Sequence, residues 1–299
     1  MASTVSLSQV ALESARDEYT DYLVYKRLAE SSRIKNPKMK EILDTLSKTE
    51  YRHYEFWRKY APPDARISGN TWIVYLTLLL RIILGNSFAI KYLEKHETAV
   101  IRKYKSVKGS IPEADQREFD EMVRDEEEHE NTFMDQMQGT YIKYISFVIL
   151  GLADAIVEIS GIHAGSLGIY HSTRITGLAG IVAGASASIA MASAAFAQAK
   201  QGFQGSPTIS AIFTGVSYFI NAIILATPYF LTQSQLTAIS TSIILAILII
   251  AFISYYNSVV SQSHFLRDFS ELAGIMLGAS AALFLFGLLI RSLFGITIS

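Results

Sequence analysis

Two Glu-x-x-His units, Glu50–His53 and Glu126–His129, lie on charged stretches of helical character, and a single glutamate precedes each of them, Glu18 and Glu94. The i,i+3 spacing puts carboxylate and imidazole on one face of a helix. Ionised Glu and neutral imidazole suit Fe2+, Mn2+ or Zn2+, and a carboxylate can bridge two ions. A di-metal centre inside a four-helix bundle takes one Glu from each of two helices and a Glu-x-x-His from each of the other two. The ligands occur in that order here. Acidic helices ordinarily carry solvated Glu, so one unit alone would carry little weight. Two units, each behind a helix that offers a Glu, discriminate the site from a charged surface. Within the run Asp125–Glu130 the spacing selects Glu126 with His129 and leaves Glu127, Glu128 and Glu130 to solvent. Glu97, one turn after Glu94, is a candidate extra ligand, whereas His96 points away from that face. No catalytic residue is assigned beyond these ligands.

The elements that must position them read as helices. Apolar and aromatic positions at helical spacing predict a first helix over 8–33. Asn36-Pro37 marks a turn, with Pro37 in the first turn of a second helix that runs to about Tyr60 and ends at Ala61-Pro-Pro-Asp64. A third helix is predicted over 87–105 and a fourth over 113–137, with Gly139 as the joint to the second half of the chain.

Half of the 299 residues are hydrophobic, mean hydropathy is +0.27 and only 18% are charged, too apolar for a pair of ordinary soluble domains. The charge is unevenly shared. Residues 1–138 are dense in it, whereas between 141 and 262 the only charged residues are Lys143, Asp154, Glu158, Arg174 and Lys200. A net charge of −1 gives no reason to expect nucleic acid. Without cysteine there is no disulfide, thiolate site or rubredoxin-type iron centre. The first residues show no basic and apolar signal pattern, so the N-terminal half is expected in the cytosol.

Five transmembrane spans are expected at about 142–164, 175–198, 207–230, 234–256 and 271–296. The bias of Lys143, Lys200 and Arg267 agrees with N-terminus in and C-terminus out. The apolar run 72–90 is nearly long enough for a sixth, but Arg81 and Gly85-Asn86 interrupt it. A crossing there would also part Glu18, Glu50 and His53 from Glu94, Glu126 and His129. It reads instead as the crossover between helices two and three, lying against the membrane surface. The expected class is therefore all-α, with a metal-binding bundle in 1–138 and a membrane domain in 139–299.

Ionisable groups at bilayer depth are functional candidates, and Asp154 and Glu158 stand one turn apart on the first span. Their face also carries Gly151, Ala155, Gly161 and Gly165, which predicts close helix packing. Gly177, Gly180 and Gly184 make a similar face on the second span, Thr214, Ser217 and Asn221 a weak polar stripe on the third, and Gly274-x-x-x-Gly278 predicts tight packing of the fifth. Met191 is a soft candidate ligand on the pathway. His163 and His171 fall in or near the 163–174 loop and read as solvated.

The first 138 residues resemble a ferritin-like domain of the rubrerythrin–erythrin type, on Glu18 with Tyr25 and Leu28-Ala29, Glu50-x-x-His53, Glu94-x-x-Glu97 and Glu126-x-x-His129. The resemblance implies two irons and oxidation of Fe2+ by oxygen or peroxide, with Mn or Zn as alternative metals. The rest, on Gly151-Leu-Ala-Asp154-Ala-Ile-Val-Glu158, the glycine-rich second span and Pro228-Tyr229, resembles the vacuolar iron transporter family. That implies exchange of Fe2+ or Mn2+ against protons by a homodimer, with Asp154 on the ion pathway and Met191 as the second-span methionine. The family's cytosolic helices between spans two and three are missing, since 199–206 is short, and the second span lacks a glutamate. Together the halves look like the erythrin–vacuolar iron transporter fusion. An iron exporter fed by a cytosolic di-iron domain that captures, oxidises or senses iron is the expected function. A membrane-anchored ferroxidase or peroxidase is the alternative.

Overall fold

The structure is a computed structural model, and it describes residues 6–31, 37–94, 97–136, 140–170, 172–203, 205–261 and 263–295. Among these residues it is all-α, without a strand. The chain divides into two compact units, Met1–Gln138 and Gly139–Ser299.

In the first unit α1 (Leu7–Glu30) begins at Ser6, whose hydroxyl accepts the Gln9 N–H, as a helix N-terminus with unpaired donors requires. Proline at the first position opens α2 (Pro37–Arg58). The two helices end three and two residues before their expected limits. The run 72–90 is helical but broken. Asn70 caps α3 (Thr71–Leu84) by accepting from the N–H groups of Trp72 and Ile73. Asn70 also donates its own N–H to Thr20 Oγ1 on α1 at 2.8 Å. Gly85, at φ 89°, then takes a conformation that a side chain would resist and stops the helix. The expected helix over 87–105 is helical throughout its described residues, as α4 (Asn86–Glu94) and α5 (Glu97–Val107), and α6 (Gln116–Gln136) follows. Val10, Ala11 and Ala15 of α1, Phe56 and Trp57 of α2, Tyr104 of α5, and Phe119 and Met122 of α6 form one apolar core.

Among its described residues the second unit contains five helices long and apolar enough to cross a membrane: α7 (Thr140–Tyr170), α8 (Thr173–Ala199), α9 (Pro207–Leu231), α10 (Gln235–Val260) and α11 (Phe265–Phe294). Ser172, Ser206 and Ser234 cap α8, α9 and α10. Helix α7 runs through the expected 163–174 loop as far as Tyr170, because glycines at 161, 165 and 168 do not break a helix that is packed on a neighbour. A Cβ on Gly165 or Gly168 would press on the Leu283 or Phe284 carbonyl of α11, and one on Gly161 would strike the Leu283 side chain.

Close approach is also what the polar stripe of α9 serves. Thr214 donates to the Phe147 carbonyl of α7 at 3.0 Å, Ser217 to Val148 at 3.2 Å and Asn221 to Leu152 at 3.0 Å. Gly151 admits this contact, since a Cβ there would meet Ser217 Oγ and the Thr214 carbonyl. The fifth helix departs from expectation. Among the described residues none lies within 4 Å of where a Cβ would stand at Gly274 or Gly278, and it is Gly287 that meets the Gly165 backbone of α7. Gly151→Val is predicted to cost about 1–3 kcal/mol by overpacking. Thermal unfolding of detergent-solubilised protein checks this.

Candidate metal centre

Glu18 of α1, Glu50 and His53 of α2, and Glu126 of α6 converge in the first unit, each nearly sealed from solvent. One ligand atom from each lies within 4.8 Å of the others. On α2 the i,i+3 spacing keeps His53 Nδ1 3.5 Å from Glu50 Oε2, while Glu126 and Glu18 approach the same nitrogen at 2.9 and 3.7 Å. Nδ1 therefore faces three carboxylates. The opposite nitrogen, Nε2, lies 3.3 Å from Asp125. Asp125 also takes a hydrogen bond from Arg52. An imidazole that donates through Nε2 to a carboxylate keeps the Nδ1 lone pair for a metal, the usual support of a ligating histidine. Tyr104 of α5 donates its hydroxyl to Glu18 and fixes the second oxygen of that carboxylate.

Three carboxylates in a sealed space repel one another unless a cation joins them. Burial, and then the charge of Glu126, push Glu50 well above the usual carboxylate range. Burial followed by the charge of Glu18 raises Glu126 as well. Burial favours the neutral acid at Glu18 too, but hydrogen bonding to His53 and the charge of that imidazole outweigh it and hold Glu18 low. At His53 burial opposes the charge, and the bonds to Asp125, Glu126, Glu18 and Glu50 overcome it and raise its affinity for a proton. Without metal the cluster thus stays together by keeping protons. A divalent cation supplies the same neutralisation, and this donor set of carboxylates with one imidazole suits it.

The sequence picked out these four, and the structure brings them together. The side chains of Glu94, Glu97 and His129 lie outside the described residues, as does His96. Glu127 is exposed and pairs with Lys105 at 2.7 Å. Asp125 and Tyr104 are neighbours of the cluster that the spacing of motifs does not reveal. Asp125 had a visible signal in adjoining Glu126, whereas Tyr104 has none, because its partner is 86 positions away. Asp21, also unforeseen, lines a cavity of about 320 Å³ with Asp17, Tyr92 and Lys103. Burial, and then the charges of Glu18 and Glu126, raise its carboxyl well above the usual range.

In the second unit Asp154 is half-buried and Glu158 is exposed on the surface of the single chain. The small residues of that face pack closely, as expected, while the acids themselves are less covered. Tyr218 of α9, which no sequence motif marks, donates to Glu158 at 2.6 Å. Met191 is half-buried and packs against the apolar core built on Ile156, Ile159 and Tyr218. His163, expected in a loop, is 1% exposed inside α7, with its ring 4.4 Å from that of Tyr229. Gly180 makes room for it, since a Cβ there would overlap Nε2. His171 lies outside the described residues.

No family model, curated protein or solved structure matches this chain.

The geometry sets two expected outcomes. Asp125→Asn is expected to weaken Mn2+ binding about 10–100-fold, measured by equilibrium titration, through loss of the support on Nε2. The second concerns pH. Glu50, Glu126 and His53 hold raised proton affinities, so they stabilise the metal-free fold below their ordinary values and lose that contribution as pH rises through the folded ones. Glu18 works the other way, losing its contribution as pH falls. Three groups outnumber one, so the gain in melting temperature from added Mn2+ should grow between about pH 5 and about pH 8. A constant gain across that window would contradict the assignment.

Proposed function

We propose that this protein is a multi-pass membrane iron transporter, moving Fe2+ (and Mn2+) out of the cytosol in exchange for protons. In this reading its first unit is a ferritin-like di-iron bundle that captures the ion. The observation that carries the proposal is the sealed Glu18–Glu50–His53–Glu126 cluster in a chain whose other half has five membrane-length helices and an acid pair. A mere anchor has no use for Asp154 and Glu158, whose cost in a bilayer is high.

Within the bundle Glu18, Glu50, Glu126 and the Nδ1 of His53 would hold the metal, with Glu94, Glu97 and His129 as the further ligands expected from the resemblance. Bound iron would supply redox chemistry, the basis of a ferroxidase or sensing role. The chain's own residues do the rest. Asp125 keeps the proton on Nε2, Tyr104 orients Glu18, and the surrounding aromatic core keeps out water. Along the membrane half the carboxylates of Asp154 and Glu158 can take either a proton or a metal ion, and that competition is the chemical basis of exchange. Tyr218 holds Glu158 in place. The exposed acid face and the uncovered Gly274 and Gly278 support a homodimer in which a second copy covers them. By the positive-inside bias the bundle lies in the cytosol and the C-terminus outside.

Proteoliposomes loaded with an Fe2+-sensitive dye test the reading. Uptake driven by a pH gradient is expected in the intact protein, with Asp154→Ala reducing it at least about tenfold, as loss of a pathway charge should. Gradient-driven flux that Asp154→Ala leaves intact would remove the assigned pathway. Oxygen or peroxide consumption without any flux would favour the membrane-anchored oxidase.

A further inference from the structure

Helix α3 turns its apolar side outward. Trp72 is 71% exposed, Tyr75 59%, Leu79 51% and Ile82 62%. Their spacing of three, four and three residues aligns them in one stripe. The inward side carries Val74 and Thr77, both buried, and Arg81, which reaches the Ser31 hydroxyl at 2.8 Å. A helix that borders water shows the opposite pattern. Among the described residues of the first unit the only other large exposed hydrophobic side chain is Tyr51, at 38%. The apolar exposure is thus concentrated on this one helix, which is how an interaction surface differs from scattered single residues.

The composition of the stripe identifies the partner. Trp and Tyr favour the level of lipid headgroups, where an apolar ring meets a polar edge. The Arg27 guanidinium sits 5.5 Å from the Tyr75 ring centroid, placing a cation at the same edge, where a lipid phosphate would meet it. At fourteen residues, α3 is about 21 Å long. It is too short to cross a hydrocarbon core of about 30 Å, and Gly85 ends it abruptly, but it has the length to lie in an interface. A bilayer is also at hand, because the same chain has five helices of membrane length. We propose that α3 is an interfacial helix whose Trp72–Ile82 stripe inserts among the headgroups and first methylenes of the bilayer, with Arg27 meeting lipid phosphate.

Tryptophan fluorescence tests this directly, because the chain has two tryptophans and Trp57 is sealed in the core at 0% exposure. The full chain is reconstituted in vesicles of dioleoylphosphatidylcholine with phosphatidylglycerol, and separately in vesicles whose phosphatidylcholine carries dibrominated acyl chains. Bromine is expected to quench roughly half of the emission, the share of one tryptophan at the membrane interface. The exposed-site variant Trp72→Phe should lose that quenching. Equal emission in the two lipids overturns the proposal. Acrylamide then tells why: quenching by it places Trp72 in water, and protection from it places Trp72 against protein, a second copy included.

Discussion

The structure of the first unit turns on the burial of three carboxylates around one imidazole. Such a group is unstable by itself, since each ionised acid raises the cost of the next. The helices that bring Glu18, Glu50 and Glu126 together cannot separate them without giving up the aromatic core on which they are mounted. Trp57, one turn beyond His53, and Tyr104, bonded to Glu18, belong to that core. Packing therefore holds the ligands against their own repulsion, and the cluster remains short of positive charge. Protons meet that need in the metal-free protein, and the donor set of carboxylates with one imidazole suits a divalent cation in their place.

A related constraint operates in the membrane unit with different means. Helices there gain little from apolar association, because lipid is as apolar as they are. They approach instead through glycines and hydroxyl groups. Gly151 lets Thr214, Ser217 and Asn221 of α9 reach carbonyls of α7, and Gly161, Gly165 and Gly168 seat α7 on α11. Helix α7 is thus gripped on two sides, and Asp154 and Glu158 stand on it with Tyr218 as a third polar group. The arrangement fixes the acids in position while leaving Glu158 accessible.

What could be read in the sequence was what depends on local spacing. Glu50 and His53 share a face because they are three residues apart, and the length and hydropathy of the five spans are properties of each segment alone. Gly85 and Arg81 likewise told against a sixth span. Tertiary partners were out of reach: Asp125 matters through His53, Tyr104 through Glu18, and Tyr218 through Glu158. The extent of α7 was misjudged for a related reason. Gly161 and Gly165 mark a face for close packing, as expected, and with Gly168 they seat α7 on α11, so the helix runs past the expected loop and leaves His163 buried. Gly274-x-x-x-Gly278, in contrast, looks like a packing motif, yet a Cβ at either position would meet no other described residue. Spacing shows where a small face lies, and only the neighbour decides whether it is used.

The central claim is that the carboxylate–histidine cluster is a metal centre, and anomalous X-ray diffraction from crystals of the iron-loaded full chain tests it most directly. The account predicts an iron peak within bonding distance of Glu18, Glu50, Glu126 and the Nδ1 of His53, with Nε2 still on Asp125. Iron found only elsewhere, with that cluster closed on its own protons, would contradict it.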